Sequence, residues 1–466
     1  MIPTKFSTYD DFLLCAHKCF AEESWSGAER IRKLLSMTVN CQFLKKFYPA
    51  DLNAAEDYPV DKCLCLHVCA LQALQKKKYQ EALTYELSCL KIFTVNVLEK
   101  CKEENWFLPV LYQMCSNLRY VACQADKHSR LPFFDEQQGG SFLEQAAAAI
   151  LACYRICISD RNVSLEVTKR VGTLNLTNTL FRIYFAMNQW SNVIPLIQTV
   201  DRSEDLMNSF SIADKVTYNY FVGRKALYDC DFEVADKCLS YAFKNCPEKF
   251  LKNRRIILMH LIPVKIYRGQ MPFNDLLEKY QLTVFEPIVA AVRLGDVGAF
   301  ERIMRANAEL FMPNCYLFLL KLKMVCYRNL FKKVYLICDH HQIPIEYFAA
   351  AVKMTRSKEA STNAVECTLV NLIYGGQLKG YISHQSQVVV LSRKNPFPHL
   401  AETRTCPCLP SASARPATLT IGIVTFELFS CLRAVIHVWQ KERICRSAIS
   451  NVLVKLKAFI GSIDFP

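Results

Sequence analysis

Glycine is scarce in this sequence, 13 in 466 residues, which is too few for a glycine-rich fibrous or disordered chain. No phosphate-cradling glycine loop, Walker motif, nucleophile elbow or His-Glu-x-x-His sequence occurs, so the usual short signatures of nucleotide hydrolysis, acyl transfer and zinc proteolysis are missing. An enzyme here would need a site built outside any motif, and a helical array with few glycines offers little preformed concavity for one. The segment from Met1 to Phe20 lacks the basic-then-apolar order of a secretory leader, since Lys5, Asp10 and Asp11 precede any apolar run. Acidic residues are short towards the C-terminus: Lys321 to Leu400 holds 11 Lys/Arg against 4 Asp/Glu, residues 401–466 hold 8 against 4, and the first 320 residues carry a net charge of only +3. A basic end on a nearly neutral body points to a polyanionic partner, either nucleic acid or an acidic protein.

What is present is apolar. A hydrophobic content of 52% is enough to bury one or two substantial cores. The 23 cysteines are odd in number and scattered singly, as at Cys89, Cys115, Cys153, Cys238 and Cys326. They read as small buried hydrophobes kept reduced, not as a disulfide framework. Cys63, Cys65, His67 and Cys69 form the most tempting metal cluster. Alternate residues share one face of a strand, but on a helix they point about 200° apart. The stretch lies inside an apparent helix, so buried packing is the favoured reading, and neither metal nor cofactor is expected. Cys338, His340 and His341 lack a second ligand pair. Asn162-Val163-Ser164 matches a glycosylation acceptor, but without a leader no such role is expected.

Up to about residue 340 the apolar residues fall at helical spacings. Leu66, Ala70, Leu74, Leu83, Leu87 and Leu90 form one stripe, broken by the basic turn Lys76 to Lys78. Four stretches repeat a polar turn followed by an aromatic or apolar residue: Lys78 to Ala82, Gln189 to Val193, Asp231 to Ala235 and Asp296 to Phe300. This is how tetratricopeptide-like helix pairs begin their second helix. The clearest pair is predicted over Tyr218 to Cys246, followed by a helix from Arg254 to Tyr267 bent by Pro263. The fold class is therefore all-α, with helical repeats over 1–200 and a tetratricopeptide-like subdomain over 201–326.

Over 327–400 the order changes. Leu330, Val334 and Ile337 predict one helix, Phe348, Ala349 and Val352 a second opened by Pro344, and Val365, Leu369, Leu372 and Ile373 a third. Asn363 with Glu366 resembles a capping box, and Gly375-Gly376 ends the third helix. Tyr381 to Ser383 and Val388 to Leu391 read as a β-hairpin around a polar turn, in which His384 is expected to be exposed. Three helices followed by a hairpin is the order of a winged helix. Arg328, Lys332, Lys333, Lys353, Arg356, Lys358, Lys379, Arg393 and Lys394 all fall in this region, with Lys379 and Arg393 expected on the two wing strands. They are the candidate nucleic-acid contacts, through salt-dependent phosphate pairing. The bland alternative is a solvated face or a dock for an acidic protein. The segment 401–466 is basic and partly apolar. Its stretch Thr418 to Trp439 is interrupted by Glu427, Arg433 and His437, so no membrane insertion is expected.

Several blocks resemble a known family. They are Glu104-Asn105-Trp106, Val216-Thr217-Tyr218, Tyr220 to Ala226, Asn253 to Lys265, Tyr327 to Tyr335, Asn371 to Tyr374, Lys379 to Gln385 and Asn395-Pro396-Phe397-Pro398. Together they are similar to the PCI proteins of the Thp-one kind, over roughly residues 60–398. The resemblance implies a helical PCI domain closed by a winged helix, acting as a scaffold in the TREX-two complex of messenger RNA export at the nuclear pore. It also implies a Sac-three or germinal-centre-associated nuclear protein scaffold and the small acidic protein DSS-one as partners, with RNA or double-stranded nucleic acid on the basic surface. The implied location is the nucleus and its pores, with the cytoplasm as a further site. Relatives of this kind end shortly after Asn-Pro-Phe-Pro. The segment 401–466 therefore reads as a lineage-specific extension or a gene-prediction artefact, the latter favoured. Another PCI assembly, the proteasome lid, signalosome or a translation initiation factor, is the alternative setting.

Overall fold

A computed structural model describes residues 5–6, 8–37, 40–41, 59–129, 141–311, 316–357 and 360–402. Lys358, the apolar stretch Thr418 to Trp439 and all but the first two residues of the segment 401–466 lie outside the described residues. The described residues divide into two compact units, one within Met1–Ala226 and Val234–Leu261, the other within Leu227–Glu233 and Ile262–Pro466. These divisions differ from the 200 and 326 of the sequence pattern.

The helices of the N-terminal part are α1 (Tyr9–Phe20), α2 (Trp25–Leu34), α3 (Pro59–Gln75), α4 (Tyr79–Phe93), α5 (Leu108–Ser129), α6 (Phe142–Ile158), α7 (Thr173–Met187) and α8 (Val193–Asp201). They are followed by α9 (Ile212–Tyr228), α10 (Phe232–Asn245) and α11 (Leu251–Tyr267). A two-residue parallel pair, β1 (Lys5–Phe6) and β2 (Asn40–Cys41), joins the start of the chain to the segment after α2. The first unit's core is apolar and aromatic: Phe12, Phe93, Phe107 and Phe181 are fully buried, each contributing about 1.5–3 kcal/mol by removal from water.

All four predicted turns are helix–helix junctions, at α3–α4, α7–α8, α9–α10 and α13–α14, the last pair being Glu286–Leu294 and Val297–Ala306. They share a backbone device. Lys77, Asn188, Cys230 and Gly295 each take positive φ, 60°, 57°, 62° and 70°, one residue before the polar position that leads into the second helix. A left-handed residue at the end of a helix lets its last carbonyls be capped while the chain reverses. The α9–α10 pair packs closely because Gly223 has no side chain: a Cβ there would lie 2.7 Å from the Leu239 Cγ. Pro263 stands inside α11, as the pattern predicts.

The second unit continues with α12 (Asn274–Lys279), α13, α14, α15 (Ala308–Phe311) and α16 (Tyr316–Cys338), then β3 (Gln342–Pro344), α17 (Ile345–Met354), α18 (Thr362–Tyr374), β4 (Gly380–Ser383) and β5 (Val388–Leu391). The sheet order is β3-β5-β4, antiparallel throughout, with Ile343 opposite Val389 and Tyr381 opposite Val390. This completes a winged helix with a first strand the sequence pattern did not predict. Phe331, Phe348, Val352, Val365, Leu369, Val389 and Leu391 are buried in the second unit, and Phe331 meets Phe348 edge-on at 5.1 Å between centroids.

Three local expectations are corrected. The first helix of the winged region begins at Tyr316, not near residue 327, and Ile337 is 82% exposed instead of facing the core. The cap of α18 is Ser361, whose hydroxyl accepts from the Ala364 amide. Asn363 lies within the first turn, and Glu366 is engaged with His384 in the wing turn at 2.7 Å. Pro344 ends β3 and precedes α17 as its cap residue, with φ −58°.

Candidate nucleic-acid interface

The winged region is seated on α13 and α14 through α16. On α16, Cys326 Sγ, Asn329 Nδ2 and Lys333 Nζ, spaced three and four residues apart, donate in turn to the Ala291, Val292 and Leu294 carbonyls of α13, at 3.4, 2.8 and 2.8 Å. The Gly295 and Asp296 amides already cap the Val292 and Ala291 carbonyls, so α16 adds a second donor to each, and the Lys333 cation at the end of α13 complements the helix dipole. Gly298 at the start of α14 permits the other contact. A Cβ on it would lie 1.9 Å from the Thr355 carbonyl oxygen, in the turn between α17 and α18. Ser357 Oγ in the same turn donates to Glu301 Oε1 at 3.0 Å, and Glu301 also pairs with Lys323 at 2.9 Å.

The eight basic candidates among the described residues do not form one surface. Lys332 on α16 lines a cleft together with Asn395. The backbone amide of Lys379 donates to Pro396 O at 2.8 Å, and the Ser392 amide donates to Lys379 O at 2.9 Å, so Lys379, Arg393 and Lys394 gather at the base of the wing. Lys332 joins them through Asn395. All four side chains are exposed, and none has a carboxylate partner among the described residues. Lys379 and Arg393 flank β4 and β5 instead of standing within them. Lys333 is turned to the Leu294 carbonyl. Lys353 and Arg356 are exposed at the end of α17 and in the turn over Gly298, with Arg356 at φ 58°. They make a second, separate basic spot.

Arg328 departs from the expectation of a surface contact. It is only 6% exposed; its guanidinium donates through Nη2 to Pro398 O at 2.6 Å and through Nη1 to Asn329 Oδ1 at 3.2 Å, and it lies over the Phe397 ring. Burial pushes its pKa below the usual arginine value. Sequence reveals its charge but not its depth, because the residue that buries it is 70 positions away.

Helix α18, the third helix of the winged fold, carries no lysine or arginine from Thr362 to Tyr374 and one acid, Glu366. Its outward side shows Val370 and Tyr374, 41% and 63% exposed. Positive charge is therefore placed at the wing base and beside the helix, not along it. His384 is exposed, as expected, and held by Glu366.

Two members of the cysteine–histidine cluster, Cys63 and His67, meet residues of α4. Cys63, Cys65, His67 and Cys69 lie on helix α3. Cys63 Sγ donates to Cys89 O and Cys89 Sγ to Cys63 O, at 3.6 and 3.3 Å. His67 Nδ1 meets Glu86 Oε1 at 2.7 Å, both side chains being 1% exposed. No group of three or more His, Cys, Asp or Glu residues placed to hold a metal ion occurs among the described residues, and no helix among them is long and apolar enough to cross a membrane.

The sequence profile of the PCI domain matches residues 304–393, which spans the winged helix and the end of α14 before it. The chain is 39% identical over 390 residues to a Caenorhabditis briggsae protein named PCI domain-containing protein 2 homolog, covering 81% of this chain and 94% of that one. A Drosophila melanogaster homolog of the same name is 39% identical over 349 residues, 74% of this chain and 86% of the relative. PCI domain-containing protein 2 of Danio rerio is 38% identical over 349 residues, 74% and 85% respectively. A helical array closed by a complete winged helix, and relatives this similar along most of both chains, place the chain in one family: it belongs to the PCI domain-containing protein 2, or Thp-one, family of PCI scaffold proteins.

Proposed function

We propose that this protein is a non-enzymatic scaffold subunit of the TREX-two complex of transcription-coupled messenger RNA export, and that the base of its wing contacts RNA. The observation that carries the RNA reading is the cluster of Lys332, Lys379, Arg393 and Lys394, exposed and without carboxylate partners among the described residues. Cations arranged this way pair with phosphates and carry little sequence information. Lys353 and Arg356 extend the contact along the backbone of a longer RNA. Lys358, outside the described residues, is kept in the set on its sequence position alone. Arg328 supports the cluster from beneath, and Lys333 supports α13.

The assembly reading rests on the family resemblance. Its partners are a Sac-three or germinal-centre-associated nuclear protein scaffold and the acidic protein DSS-one, and its place is the nucleus at the pores, with some protein in the cytoplasm. Affinity purification of the tagged chain from nuclease-treated nuclear extract tests it. Recovery of a Sac-three-like scaffold with DSS-one is the expected result. Recovery of proteasome-lid, signalosome or initiation-factor subunits in their place would overturn it.

The uncharged face of α18 favours a second reading, in which the winged helix of another PCI assembly docks a protein. Val370 and Tyr374 are exposed there with no basic neighbour on the helix, a composition suited to protein contact. On this reading charge reversal at the wing base would leave RNA affinity unchanged, and replacing Val370 and Tyr374 by charged residues would weaken a protein partner.

A further inference from the structure

The cleft beside the wing base has a volume of about 430 Å³, and Met271, Arg328, Lys332, Asn395, Phe397 and His399 are among its lining residues. Among the described residues no acidic one lines it. Its floor is cationic in an unusual way. Arg328 is more than nine-tenths buried, has no carboxylate partner among the described residues, and its Nε is buried with no acceptor among them. Of the five N–H donors of a guanidinium, two are used, by the Pro398 carbonyl and Asn329 Oδ1. A buried cation that meets only neutral acceptors is costly to the fold unless a counter-charge completes it.

The rim supplies further donors and, among the described residues, no carboxylate. Lys332 Nζ is exposed and unpaired among the described residues, and Asn395 is exposed at φ 47°. His399 accepts the Ala401 amide on Nδ1 at 3.3 Å, which leaves the ring proton on Nε2 as a donor. The cleft is large enough for one nucleotide-sized group, and Asn395 joins it directly to Arg393 and Lys394.

We propose that this cleft is an anion site for a phosphate group, with Arg328 as its buried anchor and Lys332, Asn395 and His399 as its rim. An arginine fork matches the geometry of phosphate oxygens and holds its charge at any physiological pH. The phosphate comes from an RNA backbone, or from a free small phosphate. The first source rests on the RNA reading above, whereas the anion site itself does not.

The test uses the full-length chain and inorganic phosphate. Thermal unfolding is followed in rising phosphate against sodium chloride at matched ionic strength, since a ligand of the folded state alone raises the midpoint. Phosphate should raise it above the chloride control. The double variant Lys332→Glu with Asn395→Asp, which leaves Arg328 and its fold contacts in place, should weaken the apparent phosphate affinity at least tenfold. Lys76→Glu, on an exposed turn of the first unit, should leave it unchanged. Displacement of phosphate by a 5′-hydroxyl RNA oligomer identifies the backbone as the source, and phosphate binding that RNA does not displace identifies a free phosphate. Absence of a phosphate-specific shift, or a shift that survives the double variant, overturns the site. RNA binding measured on the same proteins separates the two claims: RNA bound without phosphate sinks the cleft alone, and phosphate bound without RNA sinks the RNA reading alone.

Discussion

The first unit and the winged helix treat positive charge in opposite ways. In the first unit many of the cations are answered from within. Arg32 pairs with Glu29 at 3.0 Å, Lys78 with Glu81 at 2.7 Å, Arg170 with Asp205 at 3.4 Å and Arg254 with Glu248 at 3.2 Å, while Arg30 meets Glu22. Lys169, 5% exposed, donates its ammonium to the Leu98 carbonyl at 2.6 Å. At the wing base four exposed cations gather with no carboxylate partner among the described residues. Exposed ion pairs stabilise a fold very little, so the difference says little about stability. It bears on what each region can recruit. Charge already neutralised attracts nothing, whereas unpaired charge on one face draws its counter-charge from another molecule.

Four substitutions sharpen or break that contrast. The largest effect is expected from His67→Ala in the first unit. It leaves the Glu86 carboxylate buried without its ring partner and should cost about 3–5 kcal/mol of stability, seen as a lower denaturation midpoint. RNA affinity of the folded protein should stay the same, and a matching loss of RNA binding would break the division of labour.

Gly298→Ala comes next. Its new Cβ would meet the Thr355 carbonyl at 1.9 Å, and because the obstacle is backbone the α17–α18 turn must move, at about 1–3 kcal/mol. This turn carries Arg356, so the variant should lose stability and weaken RNA binding together. Denaturant titration and RNA titration on the same preparation read both.

Asp160→Asn is smaller. Burial pushes the Asp160 carboxyl up, but the Lys169 and Asn162 amides and the Thr168 hydroxyl outweigh that and hold it below the usual aspartate value. A carboxylate with a depressed folded-state pKa adds stability above its unfolded pKa and loses it as pH falls through the folded value. The wild type should therefore be more stable than the variant by about 1–2 kcal/mol at neutral pH, and the gap should close below about pH 4. A gap independent of pH would contradict the assignment.

Lys333→Ala should have the least effect. Its ammonium is occupied by the Leu294 carbonyl, so RNA affinity should fall much less than for Lys332→Ala one residue away. Equal losses measured by RNA titration would mean that internal pairing does not decide which lysines are available.

The parts of this molecule that were legible in sequence are those decided locally. The four hairpin turns follow from a polar residue before a bulky one, and each proved to be a helix junction with a left-handed residue just before it. The hairpin Tyr381 to Leu391 follows from alternation around polar residues. β3 was invisible because Gln342, Ile343 and Pro344 are too few to show a period and end in proline; only their pairing with Val388 to Val390 makes them a strand. The Ser361 cap was missed because Asn363 and Glu366 supplied a better local pattern than the one the chain uses. Charge at the candidate site was legible in sign and number. Depth was not, since Arg328 is buried by Pro398 and Phe397 and Lys333 is occupied by a carbonyl 39 residues away.

The most direct test of the central claim is equilibrium binding of single-stranded RNA to the full-length chain between 50 and 200 mM salt, with and without the changes Lys332→Glu, Lys379→Glu and Arg393→Glu together. Each lost phosphate contact flattens the dependence of log K on log salt by about 0.7 for a single strand. The account predicts a slope shallower by about 2 and an affinity lower by on the order of 100-fold at the low-salt end. Equal slopes and equal affinities for the two proteins would contradict it and leave the wing base without an RNA role.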